Sequence, residues 1–188
     1  IGSDLRRALA RAAHLMTVRN HFSVFALEPA FAVDVALLAT RYRDLQSAVH
    51  PDRFANATEA EQRAAMSHAV EVNDAYNTLK DPVRRALHLL SLQGIDALAA
   101  GDTAMPVDFL MEQVEWREAL ADAKLKEDSE RLEEMAVEIA SIVRSLGDTF
   151  AAAWRGGHQT VATTLARKMR FMQKLGEEVD SALADLEQ

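Results

Sequence analysis

Apolar residues recur along this chain at spacings of three and four almost throughout, which predicts a succession of helices and no sheet. Residues 21–28 (HFSVFALE) form a short apolar segment ending at Pro29, enough for about two turns of helix. Asp34 is a plausible N-cap for the next helix, which runs to about Val49 with Leu38, Tyr42, Leu45 and Val49 on one stripe. Pro51 ends it, because proline forces the residue before it towards extended backbone, leaving His50 at a helix exit and Asp52 in a loop. After the polar stretch RFANATEAE, a helix over about 60–80 carries Ala65, Ala69, Val72, Tyr76 and Leu79 on one face. Asp81-Pro82 closes that helix and opens a short one, VRRALHLLSL.

Residues 93–105 (QGIDALAAGDTAM) have no periodicity and two of the seven glycines, the character of a linker. Three helices follow, at about 106–122, 128–154 and 158–187, with Gly156-Gly157 between the last two. Leu132, Met135, Ile139, Ile142, Leu146 and Phe150 line the middle one. Val161, Leu165, Met169, Met172, Val179 and Leu183 line the last. Short connections between three helices predict a small antiparallel bundle.

Composition agrees with this reading. The 188 residues include only 7 glycines and 4 prolines, are 49% hydrophobic and 27% charged, and suit a helical globular protein with a sizeable core. Cysteine is absent, which excludes disulfides, a cysteine nucleophile and cysteinyl metal sites. The net charge of −8 is uneven: residues 21–92 carry 7 bases and 9 acids, and residues 106–188 carry 10 and 17. An acidic C-terminal half repels a phosphate backbone, so a nucleic-acid partner is not expected, and no apolar run approaches membrane-span length. Residues 5–16 (LRRALARAAHLM) combine arginines, no acid and amphipathic spacing. Mitochondrial transit peptides share those features, but a helical extension is the preferred reading.

The residues that carry chemistry are His50-Pro51-Asp52, set in the loop of a helical hairpin. A His-Pro-Asp turn offers a rigid backbone, one carboxylate acceptor and one imidazole that donates or accepts. Held at the tip of a hairpin, these groups can dock into a partner and bias its conformational equilibrium. Two other readings use the same residues: a helix-stopping turn with an Asx-type bond, or a His–Asp acid/base pair. The pair lacks an identifiable nucleophile beside it, and the intervening proline fixes the two side chains' relative direction.

The flanking segments LATRYRDLQSAV and VNDAYNTLKDPVRRALHLLSLQG, with the HPD loop between them, resemble a J-domain over residues 21–92. The segments LLSLQG, DFLMEQVEWREAL and KMRFMQKL extend the resemblance from His21 to the C-terminus, to the iron–sulfur cluster co-chaperone family HscB. The first 20 residues match nothing in that pattern. The resemblance implies an all-α fold: an extension (1–20), a J-domain helical hairpin (21–92), a linker (93–105) and a C-terminal three-helix scaffold-binding bundle (106–188). It implies a non-enzymatic chain whose His50, Pro51 and Asp52, with Arg41, Arg43 and Arg53, engage an HscA/DnaK-type chaperone and stimulate its ATPase. Arg43 falls on the helix face of His50, but Asp44 and Ser47 stand where many J-domains carry bases, which suits a dedicated chaperone.

Within FLMEQVEWREAL, Phe109, Trp116 and Leu120 fall together and are expected to pack inward. Met111, Glu115, Glu118 and Asp122 form a second stripe with Leu110 and Val114 alongside, either a contact surface or a closure of the bundle. By resemblance, Leu110, Met111, Val114, Glu115, Glu118, Asp122 and Phe171 bind an iron–sulfur scaffold protein of the IscU kind. His14, His21, His68, His88 and His158 form no metal pattern and are read as structural or solvent-exposed. Some relatives bind zinc through cysteine pairs before the J-domain; none exist here, so no metal or cofactor is expected. A monomer in a bacterial cytoplasm, rather than a mitochondrial matrix, completes the expectation.

Overall fold

A computed structural model describes residues 20–49, 58–99 and 105–187. The described residues form helices without strands: α1 (His21–Val24), α2 (Val35–Val49), α3 (Glu59–Lys80), α4 (Pro82–Leu92), α5 (Val107–Leu125), α6 (Ser129–Arg155) and α7 (Gln159–Leu186). The fold is all-α, and the chain divides into two compact units between Ile95 and Asp96. No helix among the described residues is long and apolar enough to cross a membrane.

In the first unit, α2 and α3 pack on one another. The Tyr42 and Tyr76 rings stack 4.0 Å apart, and the Tyr42 hydroxyl donates to Asn73 Oδ1 at 2.9 Å. Gln46, one turn further along α2, also donates to Asn73, one turn back on α3, so the two helices run antiparallel. Asp34 caps α2 as expected, its carboxylate accepting from the Leu37 N–H at 2.9 Å. Thr58 begins α3 with a reciprocal capping box: Glu61 accepts from the Thr58 N–H at 2.9 Å, and Thr58 Oγ1 from the Glu61 N–H at 3.4 Å. Those bonds from Thr58 hold the Glu61 carboxyl below its usual pKa. Phe22, Phe25, Leu38, Val72, Leu79, Leu89 and Leu90 are buried in this unit.

The first apolar segment makes one turn of helix rather than two. Ala26 adopts the left-handed region (φ 48°), and the chain turns back with the Leu27 N–H donating to the Phe22 carbonyl. Arg41 holds this turn from α2, its guanidinium donating to the carbonyls of Phe25 and Ala26.

A buried charge ties the unit together. Arg85 on α4 donates to the Leu79 and Phe31 carbonyls, each at 2.6 Å, and lies over the Phe31 ring. Burial draws its pKa down, against the pull of Asp81. Arg85→Met keeps an apolar stem but orphans both carbonyls, so it is expected to cost about 2–4 kcal/mol in urea unfolding. A loss below ~1 kcal/mol would mean that other donors replace the guanidinium.

His88, also on α4, is buried against His21 and Phe22, and its Nε2 accepts the backbone N–H of His21 at 3.2 Å. Burial first, then the neighbouring His21, push its pKa down to about 4, with Asp74 opposing. A lowered folded pKa means that the unfolded chain takes the proton more readily, so this contribution is whole above pH ~6.5 and drains as pH falls towards 4. The loss is expected to reach about 2 kcal/mol after allowance for partial solvent access. His88→Gln should flatten the stability profile between these limits in denaturant titrations; identical slopes would remove His88 as the cause.

In the second unit, α6 and α7 form the principal contact, and α5 packs on both. Gly157 (φ 72°) provides the left-handed position that reverses the chain, with the His158 N–H donating to the Ala153 carbonyl. Leu120, Ala123, Leu132, Met135, Ile139, Met172, Leu175 and Val179 form the core, with Trp116 and Phe171 packed against it. The inner row of α7 differs from the expected one at its start. Ala162 and Ala166 are buried, whereas Val161 is 52% exposed. Small residues let the helices approach closely here, as at Gly176, where a Cβ would stand 3.3 Å from Ile139 Cγ2. Within the stretch read as a linker, Ala97 is buried and its carbonyl accepts from Arg167 Nε of α7 at 2.7 Å.

Candidate functional site

Two surfaces were expected to carry function. The first, His50-Pro51-Asp52 with Arg53, lies outside the described residues. The hairpin that leads into it is described, and its ends are well specified by the tyrosine stack, the Asn73 bonds and the Thr58 capping box. The two arginines of α2 part company. Arg43 is exposed and donates from Nη2 to Thr40 Oγ1 at 3.3 Å. Arg41 is half-buried, and its guanidinium also donates to the carbonyls of the turn after α1. Spacing along α2 could not separate them, because the acceptor carbonyls belong to a turn whose shape rests on Ala26.

The second surface lies on α5. Phe109 and Leu120 are buried and Trp116 is half-buried, as their spacing required. Leu110, Met111 and Val114 are 45%, 62% and 56% exposed, so they do not close the bundle. Glu115, Glu118 and Asp122 are exposed beside them. Asp122 is engaged by Lys126 at 2.7 Å, and that hydrogen bond raises the lysine's pKa.

The structure brings only part of the expected set into one concavity. A cleft of ≈660 Å³ is lined by Leu110, Gln113, Val114, Arg117, Glu118, Ala121 and Phe171, while Met111, Glu115 and Asp122 lie outside that lining. Phe171 reaches it from α7. Its ring stands edge-on to Phe109, 5.6 Å between centroids and 84° between planes. Arg117 lies over its outer face and pairs with Glu178 of α7, and Lys168 lies over Phe109. The aromatic pair is thus flanked by cations that hold the rings in place.

Gln113, Arg117 and Ala121 went unremarked in the sequence. Their spacing of four is a readable signal, but two of the three are polar, and only packing shows their side chains walling an apolar cleft. A concave apolar floor with a carboxylate rim fits an extended or helical protein segment carrying apolar and basic side chains.

Comparison with known proteins gives a consistent result. Residues 105–180 match the family described as the HSCB C-terminal oligomerisation domain. A co-chaperone protein HscB homolog of Ralstonia nicotianae is 42% identical over 169 residues, covering 89% of this chain and 96% of the relative. The solved structure of chaperone HscB from Vibrio cholerae is 36% identical, with a TM-score of 0.76, covering 89% of this chain and 99% of that one. The crystal structure of human co-chaperone protein HscB is 32% identical, with a TM-score of 0.80, covering 88% and 82%.

Proposed function

The chain belongs to the HscB co-chaperone family, and on that premise we propose that it stimulates the ATPase of an HscA/DnaK-type chaperone while delivering to it an iron–sulfur scaffold protein of the IscU kind. It is a co-chaperone rather than an enzyme in its own right. The first unit (with His50, Pro51, Asp52, Arg41, Arg43 and Arg53) is the chaperone-facing module, and the second is the scaffold-facing one.

The observation that carries the delivery role is the exposure of Leu110, Met111 and Val114 beside Glu115, Glu118 and Asp122, at the edge of the Phe171 cleft. Solvent does not favour such an apolar stripe, and its acidic rim selects a partner with complementary basic groups. Two linked modules raise the effective concentration of scaffold at the chaperone, so a weak grip at each site suffices.

The test is the steady-state ATPase rate of an HscA-type chaperone with scaffold, with chain, and with both. The proposal expects stimulation by the chain that rises further when scaffold is present. A rate indifferent to the chain would leave an adaptor with an inert loop. The matched family's description names oligomerisation, a second use to which the same exposed α5 stripe is open; sedimentation of the chain alone distinguishes self-association from the monomer of the present reading.

A further inference from the structure

Arg117 runs against the charge of the surface around it. It is the one base among the residues that line the Phe171 cleft, where Glu118 is the one acid. Glu115 and Asp122 add exposed carboxylates along the same helix. A rim that selects a basic partner gains nothing in attraction from an arginine within it, because like charges across an interface repel. The reason for Arg117 therefore lies inside the chain.

Its contacts supply that reason. Leu110, Val114, Arg117 and Ala121 follow one another along α5 at spacings of four, three and four, so they share one face. From there the Arg117 guanidinium meets two residues of α7 at once. Its Nη1 pairs with Glu178 Oε2, and its Cζ stands 5.8 Å from the centre of the Phe171 ring. Glu178 follows Phe171 by seven residues, two turns along one face of α7, so a single side chain ties both to α5. The Phe171 ring is also edge-on to Phe109, at 5.6 Å between centroids. Phe109 is buried and fixed, whereas Phe171 is half-buried and takes its cover from Arg117. The side chains of Arg117 and Glu178 are 49% and 39% exposed, and an exposed ion pair adds little to folding stability. What the pair does add is orientation, because a guanidinium is a planar plate that stacks on aromatic faces.

We propose that Arg117 is a positioning residue of this surface: anchored by Glu178, its guanidinium holds the Phe171 ring against Phe109 in the orientation that a docked partner meets. The consequence for binding rests on the reading of this surface as the scaffold-facing one. A ring already held in its bound orientation loses less conformational freedom on docking, and that difference appears as affinity. Glu178 has a second part, since it neutralises the guanidinium and lets basic side chains of the partner approach without repulsion.

Arg117→Met keeps the apolar stem while removing the charge, the planar plate and the tie to Glu178. Two roles for Arg117 then predict opposite signs in titration of the full chain with an IscU-type scaffold. If Arg117 acted by charge alone, the more acidic rim of the variant should bind more tightly. As a positioning residue, its loss should weaken binding about three- to tenfold, the scale of fixing one side chain. Glu178→Gln, which preserves shape but releases the guanidinium, should weaken binding in the same direction. In a Phe171→Ala background, Arg117→Met should add no further loss, because no ring remains to be held. In the free chain, nuclear magnetic resonance should show the Phe171 ring protons of Arg117→Met moving towards random-coil positions while helicity is unchanged. Tighter or unchanged binding, or a loss that persists without Phe171, would overturn the proposal, as would ring protons that do not move. An unaltered chain that fails to bind the scaffold would sink the scaffold reading instead; the ring protons, measured without scaffold, still decide whether Arg117 positions Phe171.

Discussion

Replacing His50 with glutamine is expected to abolish stimulation of the HscA-type ATPase, returning the chaperone to its basal rate while scaffold binding by the second unit is unchanged. A co-chaperone acts by binding one conformation of its partner more tightly than another, so its effect is limited by that differential affinity. Coupling of this kind typically amounts to 1–3 kcal/mol, and loss of one well-placed group should therefore remove roughly tenfold stimulation or more. Glutamine keeps a donor and an acceptor but loses the rigid ring, and Pro51 prevents the backbone from re-aiming the replacement.

The hairpin itself should not notice the substitution. Its alignment depends on Leu38 in the core, the Tyr42–Tyr76 stack and the Asn73 bonds, none of which involves the loop. Circular dichroism and the unfolding midpoint are expected to match the unaltered chain. Stimulation that survives His50→Gln would sink the chaperone-activating role of this loop. Activity towards a small substrate without any chaperone, lost in the same variant, would favour the acid/base reading instead.

The helices were legible because their signals are local. Asp34, Asp81-Pro82 and Gly156-Gly157 mark ends by chemistry confined to a few residues, and the structure places helix ends at each. Where the outcome depends on distant partners, spacing failed. Arg85 looks like a solvent-facing residue of a short helix until the carbonyls of Leu79 and Phe31 are seen converging on it. Arg41 and Arg43 are two residues apart and equally basic, yet only the former meets the turn at Ala26. On α7 an apolar stripe through Val161 and one through Ala162 differ by a single residue. The choice follows from how closely α6 approaches, which Gly176 permits and no periodicity reports.

The candidate site was legible in part for the same reason. Leu110, Met111 and Val114 stand out because apolar residues there cannot all face the side that Phe109, Trp116 and Leu120 occupy. Phe171 came only from the family resemblance, since 61 residues of chain separate it from Leu110 and nothing local connects them. Arg117 was hidden by its charge, although its guanidinium lies over the Phe171 ring and its pairing with Glu178 joins α5 to α7.

Met111→Ala combined with Phe171→Ala is expected to weaken scaffold binding by about two orders of magnitude, or ~3 kcal/mol, the combined scale of two anchoring residues in an interface. The two substitutions act differently on the free chain, and that difference makes the measurement interpretable. Met111 is 62% exposed and outside the core, so its truncation should leave the unfolding midpoint where it was. Phe171 is half-buried, edge-on to Phe109 and beneath Arg117, so its loss should cost the second unit about 1–2 kcal/mol of packing. Helicity should survive, because Met169, Met172, Leu175 and Val179 still anchor α7 in the core. Titration calorimetry of each single variant and the pair, alongside circular dichroism, then separates contact from packing. A loss of affinity in Met111→Ala alone can only come from the surface, since nothing beneath it has moved. If the double variant binds scaffold as tightly as the unaltered chain while retaining its helicity, the α5 stripe and the Phe171 cleft do not form the scaffold interface. The exposed methionine would then need a different partner.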